Sequence, residues 1–161
     1  MCQAGPKKSI EAGDFVIIDF GCEIDGFKSD ITRTVIFGEP TQKHRHLYEL
    51  VKDANAIACR SMKPNMKASD LDKLIRDRLT AAGYKNEFSH SLGHGLGLGI
   101  HELPRIGEDS KDRIPPFSVV AIEPGVYMPN FGGVRIEDNV VFNETGPELL
   151  SHIDRELIAI E

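Results

Sequence analysis

Glycines at 93, 95, 97 and 99 stand at alternate positions inside Ser89–Pro104, which reads Ser-His-Ser-Leu-Gly-His-Gly-Leu-Gly-Leu-Gly-Ile-His-Glu-Leu-Pro. Each glycine inside a helix costs roughly 1 kcal/mol relative to alanine, so four of them argue against a helix here. An extended or looping backbone remains, with the glycines admitting unusual dihedrals or the close approach of another group. The stretch also carries His90, His94 and His101, three of the six histidines of the chain. His90 and His94 are four apart, the spacing of two metal ligands on one helical face, but the glycines remove that helix. Histidines held on such a backbone suggest a site. Whether it is structural or catalytic depends on acidic partners elsewhere.

On either side of this stretch the pattern changes period. Phe15–Phe20 is an apolar strand interrupted by Asp19, Asp25-Gly26 is a two-residue hairpin turn, and the return strand runs from Phe27 to about Phe37. Leu47, Leu50, Val51, Ala54, Ile57 and Ala58 form a helical stripe from about Thr41, a candidate N-cap, to Met62. A second helix is expected from Ser69 to Ala82, with Leu71, Leu74, Ile75 and Leu79 inward and Gly83 closing it. Ser118–Glu123 reads as a buried strand ending on an acid, and Gly125–Met128 continues extended. A turn at 130–133 follows, then a strand over Val134–Phe142, a turn at Gly146-Pro147 and a short strand over Leu157–Ile160. Strands before and after a helical pair indicate an α+β domain with antiparallel hairpins.

Four acids fall in or beside these apolar strands. With Asp25-Gly26 as the turn, Gly21 faces Asp30, and Asp19 shares a sheet face with Asp30 at a diagonal. Diagonal Cβ atoms are about 7–8 Å apart or a little less. Two carboxylates reaching toward each other from there repel unless a cation lies between them, and a pair of metals about 3.5–4 Å apart fits such a gap. Glu123 and Glu137 repeat the theme, with Pro124-Gly125 and Phe131-Gly132-Gly133 able to fold their strands side by side. Buried carboxylates pair, bind metal or stay protonated. Taken singly, each acid reads equally well as a salt bridge or a strand-end carboxylate, with Arg33 and Arg135 as partners. Together Asp19, Asp30, His94, Glu123 and Glu137 make an oxygen-rich set with one imidazole, better suited to Mn²⁺, Co²⁺ or Fe²⁺ than to a structural zinc.

Composition narrows the class. At 161 residues the chain is one domain by length, and 40% hydrophobic with 27% charged residues is ordinary for a soluble globular protein. A net charge of -6 disfavours nucleic-acid or anionic-membrane surfaces. No apolar run approaches a membrane span, and the first eight residues hold no hydrophobic signal region. Cys2, Cys22 and Cys59 share no metal-ligand spacing and read as reduced thiols of a cytoplasmic protein.

Ile18-Asp19-Phe20-Gly21, Ser29-Asp30-Ile31-Thr32-Arg33-Thr34, Gly93-His94-Gly95, Ile122-Glu123-Pro124-Gly125-Val126-Tyr127 and Gly133-Val134-Arg135-Ile136-Glu137-Asp138 resemble, in order, the signatures of the metallopeptidase family with the pita-bread fold. That family includes methionine aminopeptidase, Xaa-Pro aminopeptidase and Xaa-Pro dipeptidase (prolidase). His101-Glu102-Leu103-Pro104-Arg105 and the Gly-Gly-Val-Arg-Ile-Glu-Asp run resemble the Xaa-Pro branch more than the methionine branch. The resemblance covers the chain from Gly13-Asp14 onward and implies a curved antiparallel sheet backed by helices.

It also implies two divalent metal ions, Mn²⁺ or Co²⁺ before Fe²⁺ or Zn²⁺. Asp30 and Glu137 would bridge them, Asp19 would complete one, and His94 with Glu123 the other. Glu123 would handle the proton of the attacking water. His101 and His90 would bind substrate and meet the charge that develops at the scissile carbonyl, while Arg135 would hold the acidic cluster. The implied activity is a metallo-exopeptidase cleaving the bond before proline in short peptides. A methionine-type aminopeptidase, or a non-catalytic metal- or peptide-binding module, are the alternatives. The family carries a further segment before the first aspartate, with a histidine in a Pro-His-Gly-like context, and no histidine here precedes His44. Residues 1–161 are therefore expected to be a catalytic domain without its N-terminal part, with an exposed edge favouring a homo-oligomer such as a dimer.

Overall fold

The computed structural model describes residues 9–161 and is built on two long hairpins, each broken once without losing its frame. The first comprises β1 (Phe15–Phe20), β2 (Glu23–Ile24), β3 (Phe27–Lys28) and β4 (Ile31–Phe37). Asp25 and Gly26 both have positive φ, 53° and 87°, as a type I′ turn requires. This turn pairs Ile24 with Phe27. The same frame reappears beyond the break, pairing Phe20 with Ile31 and Asp19 with Thr32. The return strand expected to run unbroken to Phe37 is thus interrupted at Ser29-Asp30. Across the gap the Ser29 N–H donates to Cys22 O at 2.9 Å.

Two helices follow. α1 (Gln42–Ser61) begins at a capping box in which Thr41 Oγ1 accepts from the His44 N–H and His44 Nδ1 accepts from the Thr41 N–H. Its stripe of Leu47, Val51, Ala54 and Ala58 is fully buried. Each such Leu or Val contributes about 1.5–3 kcal/mol over its exposed state. α2 (Ala68–Ala81) buries Leu71, Ile75 and Leu79, but Leu74, expected inward, is 41% exposed. It flanks a stripe that the other three already complete.

The glycine-rich stretch supplies β5 (Gly93–Gly95), which leads to β6 (Glu102–Ile106). The second hairpin comprises β7 (Val119–Ile122), β8 (Gly125–Met128), β9 (Gly132–Arg135) and β10 (Asp138–Asn143). The strand expected over Val134–Phe142 is therefore two strands in two sheets. The frame nevertheless holds: β8 and β9 pair Gly125 with Arg135, and β7 and β10 pair Ile122 with Asp138. At the break the Glu137 N–H leaves its own hairpin and donates to Thr32 O at 3.0 Å. β11 (Gly146–Leu149) is an edge strand where only a turn was expected, and it accommodates Pro147 for that reason. β12 (Ala159–Ile160) runs parallel to β4.

The larger sheet has the order β11-β10-β7-β5-β6 and the smaller β1-β4-β12. α1 covers β7, β8, β9 and β11, while α2 lies against β6. β5 is wedged between β6 and β7 so closely that a Cβ on Gly93 would stand 2.0 Å from Ala121 O. Cys22 is an exposed free thiol and Cys59 a buried one, whereas Cys2 lies outside the described residues. Among the described residues no helix is long and apolar enough to cross a membrane.

Candidate metal centre

Three of the acids stand in the hairpin breaks, and Asp19 stands one residue before the end of β1. Asp19 and Asp30 come from the first hairpin, at diagonal positions on one face, as the turn at Asp25-Gly26 predicted. In the frame of the second hairpin Glu123 falls opposite Glu137. His94 arrives on β5, which pairs with β7 so that Gly93 faces Ile122 and His94 faces Ala121. The breaks free Asp30, Glu123 and Glu137 from their ladders, while Asp19, in β1 and still paired with Thr32, meets them from within its strand.

Convergence is close. Ligand atoms of Asp19, Asp30 and Glu137 lie within 4.8 Å of one another, as do those of His94, Glu123 and Glu137, and those of Asp30, His94 and His101. Asp30, Glu137 and His94 thus each belong to two groups. His94 Nε2 is 3.7 Å from Glu123 Oε1 and 3.8 Å from Asp30 Oδ2. Asp30, His94 and Glu137 are buried, Glu123 is partly buried and Asp19 is exposed.

Electrostatics follow from crowding. Burial, reinforced by the Asp19 charge, pushes the Asp30 carboxyl up to about 6. Burial lifts Glu123 to about 7 against the pull of Arg135, and lifts Glu137 to about 8 with help from Asp30 and Glu123. Burial also lowers the His94 pKa, favouring neutral imidazole. Its Nδ1 lies 3.0 Å from Gly95 O, which only accepts, so Nδ1 carries the proton and Nε2 keeps a lone pair facing the acids. Three carboxyls held out of water beside a neutral imidazole lone pair are a donor set that a divalent cation fits.

Arg135, at the end of β9, donates to Asp19 Oδ2 at 2.5 Å and lies 3.9 Å from Glu123 Oε2. Arg33, the other guanidinium considered for these acids, pairs instead with Asp138. His101 lies in the loop before β6, exposed, its ring centroid 4.3 Å from that of His94. His90 is engaged at both nitrogens. Nδ1 donates to Ser91 O at 2.8 Å, and burial favours the neutral ring, so Nε2 accepts from Tyr127 Oη at 2.9 Å.

Several contributing residues were not singled out from sequence. Thr32 Oγ1 donates to Glu137 Oε2 at 2.7 Å. Tyr127 Oη joins His90 to Arg135 Nη1, 3.3 Å away. Asn139 brackets the Asp30 backbone, accepting from its N–H at 3.2 Å and donating to its carbonyl at 2.6 Å. Asn55 of α1 donates to Ile122 O and Ile136 O, the carbonyls preceding Glu123 and Glu137. A signal existed for Asn55, a polar residue on the apolar stripe of its helix.

This cluster of acids and one imidazole coincides with a family match: the pattern of metallopeptidase family M24 matches residues 1–144. The chain belongs to the metallopeptidase family M24. An Xaa-Pro dipeptidase of Pyrococcus furiosus is 46% identical over 151 residues, 94% of this chain and 43% of that protein. The crystal structure of the prolidase from Pyrococcus horikoshii OT3 superposes with a TM-score of 0.89 at 43% identity, over 94% of this chain and 44% of that one. An X-Pro aminopeptidase from Thermotoga maritima MSB8 gives 0.88 at 36% identity, over 93% and 42%. The fold of this M24 member is thus the pita-bread fold expected from its motifs. The chain spans less than half the length of these relatives.

Proposed function

We propose that residues 1–161 form a catalytic domain that hydrolyses the bond before proline in short peptides, with two divalent metal ions held by Asp19, Asp30, His94, Glu123 and Glu137. The observation that carries this reading is the sharing of Asp30 and Glu137 between overlapping ligand groups. Both stand with Asp19 in one group, and each stands in a second group with His94, so the pair links the two ends of the cluster as two neighbouring cations would require. Similarity to an Xaa-Pro dipeptidase and to prolidase structures supports the substrate class.

In this reading Asp19 completes one ion, and His94 with Glu123 the other, with Mn²⁺ or Co²⁺ the ions best matched to the donor set. When bound, such ions polarise a carbonyl and lower the pKa of a nearby water. The protein's own groups do the rest. Glu123 accepts the water's proton and can return it to the leaving amine. His101, exposed beside His94, is the donor available to the charge that develops on the substrate carbonyl. His90 acts one step back, orienting Tyr127 and through it Arg135, whose guanidinium holds Asp19 and faces Glu123.

The test is hydrolysis of an Xaa-Pro dipeptide and an Xaa-Pro tripeptide by purified protein with Mn²⁺ or Co²⁺, beside Asp30→Ala. Cation-dependent cleavage lost in the variant is the expected result, and the preferred length separates dipeptidase from aminopeptidase. Release of N-terminal Met from peptides lacking proline, with Xaa-Pro bonds left intact, would overturn the assignment.

A further inference from the structure

Beneath the acidic cluster lies a second charged group that the chemistry above does not use: Arg33, Asp138 and Arg155. Asp138 is fully buried, and each of its oxygens takes one guanidinium, Oδ1 from Arg33 Nη2 and Oδ2 from Arg155 Nε, both at 2.7 Å. Buried ion pairs are weak contributors to stability, because desolvation offsets most of their attraction. A bare stability role explains this triad poorly.

Its geometry explains it better. A guanidinium has five N–H donors, and Arg33 makes five hydrogen bonds. Nε donates to Asp154 O at 2.9 Å, and Nη2 to Asp138 Oδ1 and to Ile153 O at 2.8 Å. Nη1 donates to Thr32 O at 2.9 Å and to Glu137 O at 2.7 Å. The Glu137 peptide sits at the break of the second hairpin, outside its ladder. Its N–H donates to Thr32 O, its carbonyl accepts from Arg33 and its carboxylate accepts from Thr32 Oγ1. Thr32 and Arg33 therefore satisfy the backbone and brace the side chain of Glu137, while Asp138, next in sequence, clamps Arg33 from the other side.

We propose that Arg33, locked by Asp138 and Arg155, is the positioning residue for Glu137. It sets where that carboxylate stands and hence how well the two-cation site closes. The proposal rests on Glu137 being a metal ligand. Lysine at 33 would keep the charge but not the planar five-bond fork, so it separates geometry from charge.

The experiment titrates Co²⁺ into the purified chain and into Arg33→Lys, Asp138→Asn and Glu137→Gln. Stoichiometry, affinity and the visible Co²⁺ absorption are read beside the far-UV CD spectrum. The expected result is a folded Arg33→Lys protein with altered Co²⁺ absorption and one equivalent bound about 10–100-fold more weakly, the loss typical when a ligand's supporting partner is removed. Arg33→Lys that lowers the unfolding temperature yet binds Co²⁺ with wild-type affinity and absorption would overturn the proposal. Should Arg33→Lys fail to fold, Asp138→Asn decides by the same criteria. The parent reading fails separately, if the unsubstituted chain binds fewer than two Co²⁺ or Glu137→Gln leaves binding unchanged.

Discussion

The two hairpins use one device in opposite surroundings. In each, a break in the ladder leaves the frame intact and releases a carboxylate-bearing segment. Each break is then satisfied by the other hairpin: Asn139 of β10 brackets the Asp30 backbone, and Thr32 with Arg33 of β4 does the same for Glu137. The surroundings differ. The second hairpin lies under α1, whose Asn55 ties down Ile122 O and Ile136 O, and Glu137 is 2% exposed. Among the described residues no helix lies across the break of the first, and its Asp19 side chain is 50% exposed, steadied by Arg135. Rigidity thus resides in the second hairpin, while the first contributes a carboxylate that solvent still reaches.

Substitutions can break that comparison. Glu137→Gln should weaken binding of the second Co²⁺ by more than the roughly 10–100-fold lost with supporting partners, measured by titration. Asp19→Asn should cost less in the same assay.

Next in size come the glycines. Gly93→Ala drives a Cβ to 2.0 Å from Ala121 O inside the larger sheet, and Gly21→Ala does the same against Ser29 O at the exposed break. Overpacking a closed core costs about 1–3 kcal/mol or more, so Gly93→Ala should lower the urea midpoint far more than Gly21→Ala. Equal losses would mean that the first hairpin is as rigid as the second.

Asn55→Ala should follow, at about 1–3 kcal/mol, because it strips two buried carbonyls of their donor. Chemical denaturation checks the loss.

A pH series with chelator sharpens the contrast further. Asp30, Glu123 and Glu137 sit at about 6, 7 and 8, against ordinary values of 3.8, 4.5 and 4.5. A carboxyl raised in the folded state binds its proton more tightly there than when unfolded. The stability it contributes is fully present below the ordinary value and lost as pH rises through the raised one. The metal-free protein should therefore melt at a lower temperature at pH 9 than at pH 6, and Glu137→Gln should flatten that slope more than Asp30→Asn. The smallest effect expected is that of Asp19→Asn on metal-free stability, within the roughly 0–1 kcal/mol of an exposed ion pair, read from the unfolding temperature.

Much of this was legible from local pattern. Asp25-Gly26 specified a turn whose frame puts Asp19 and Asp30 on one face, and the structure keeps that frame through the break. The stripe and Thr41 cap located α1. The four acids stood out because carboxylates amid apolar strand residues are expensive. The break at Ile136-Glu137 did not stand out. Residues 134–137 alternate and 140–142 are apolar, so the segment read as one strand, whereas the hydrogen bonds that divide it come from Thr32 and Arg33, about a hundred positions away in sequence.

By itself, then, the sequence determined the secondary elements that short-range physics controls, the frame of the first hairpin, and the residue types able to hold a divalent cation. Only the tertiary structure decided which of those residues share a cluster, that Arg33 turns to Asp138 rather than to the clustered acids, and that His90 spends both nitrogens on Ser91 and Tyr127. The physical reason is range. A turn or cap is fixed by residues a few positions apart, whereas hydrogen bonds between the two hairpin breaks join groups whose sequence neighbours carry no record of each other.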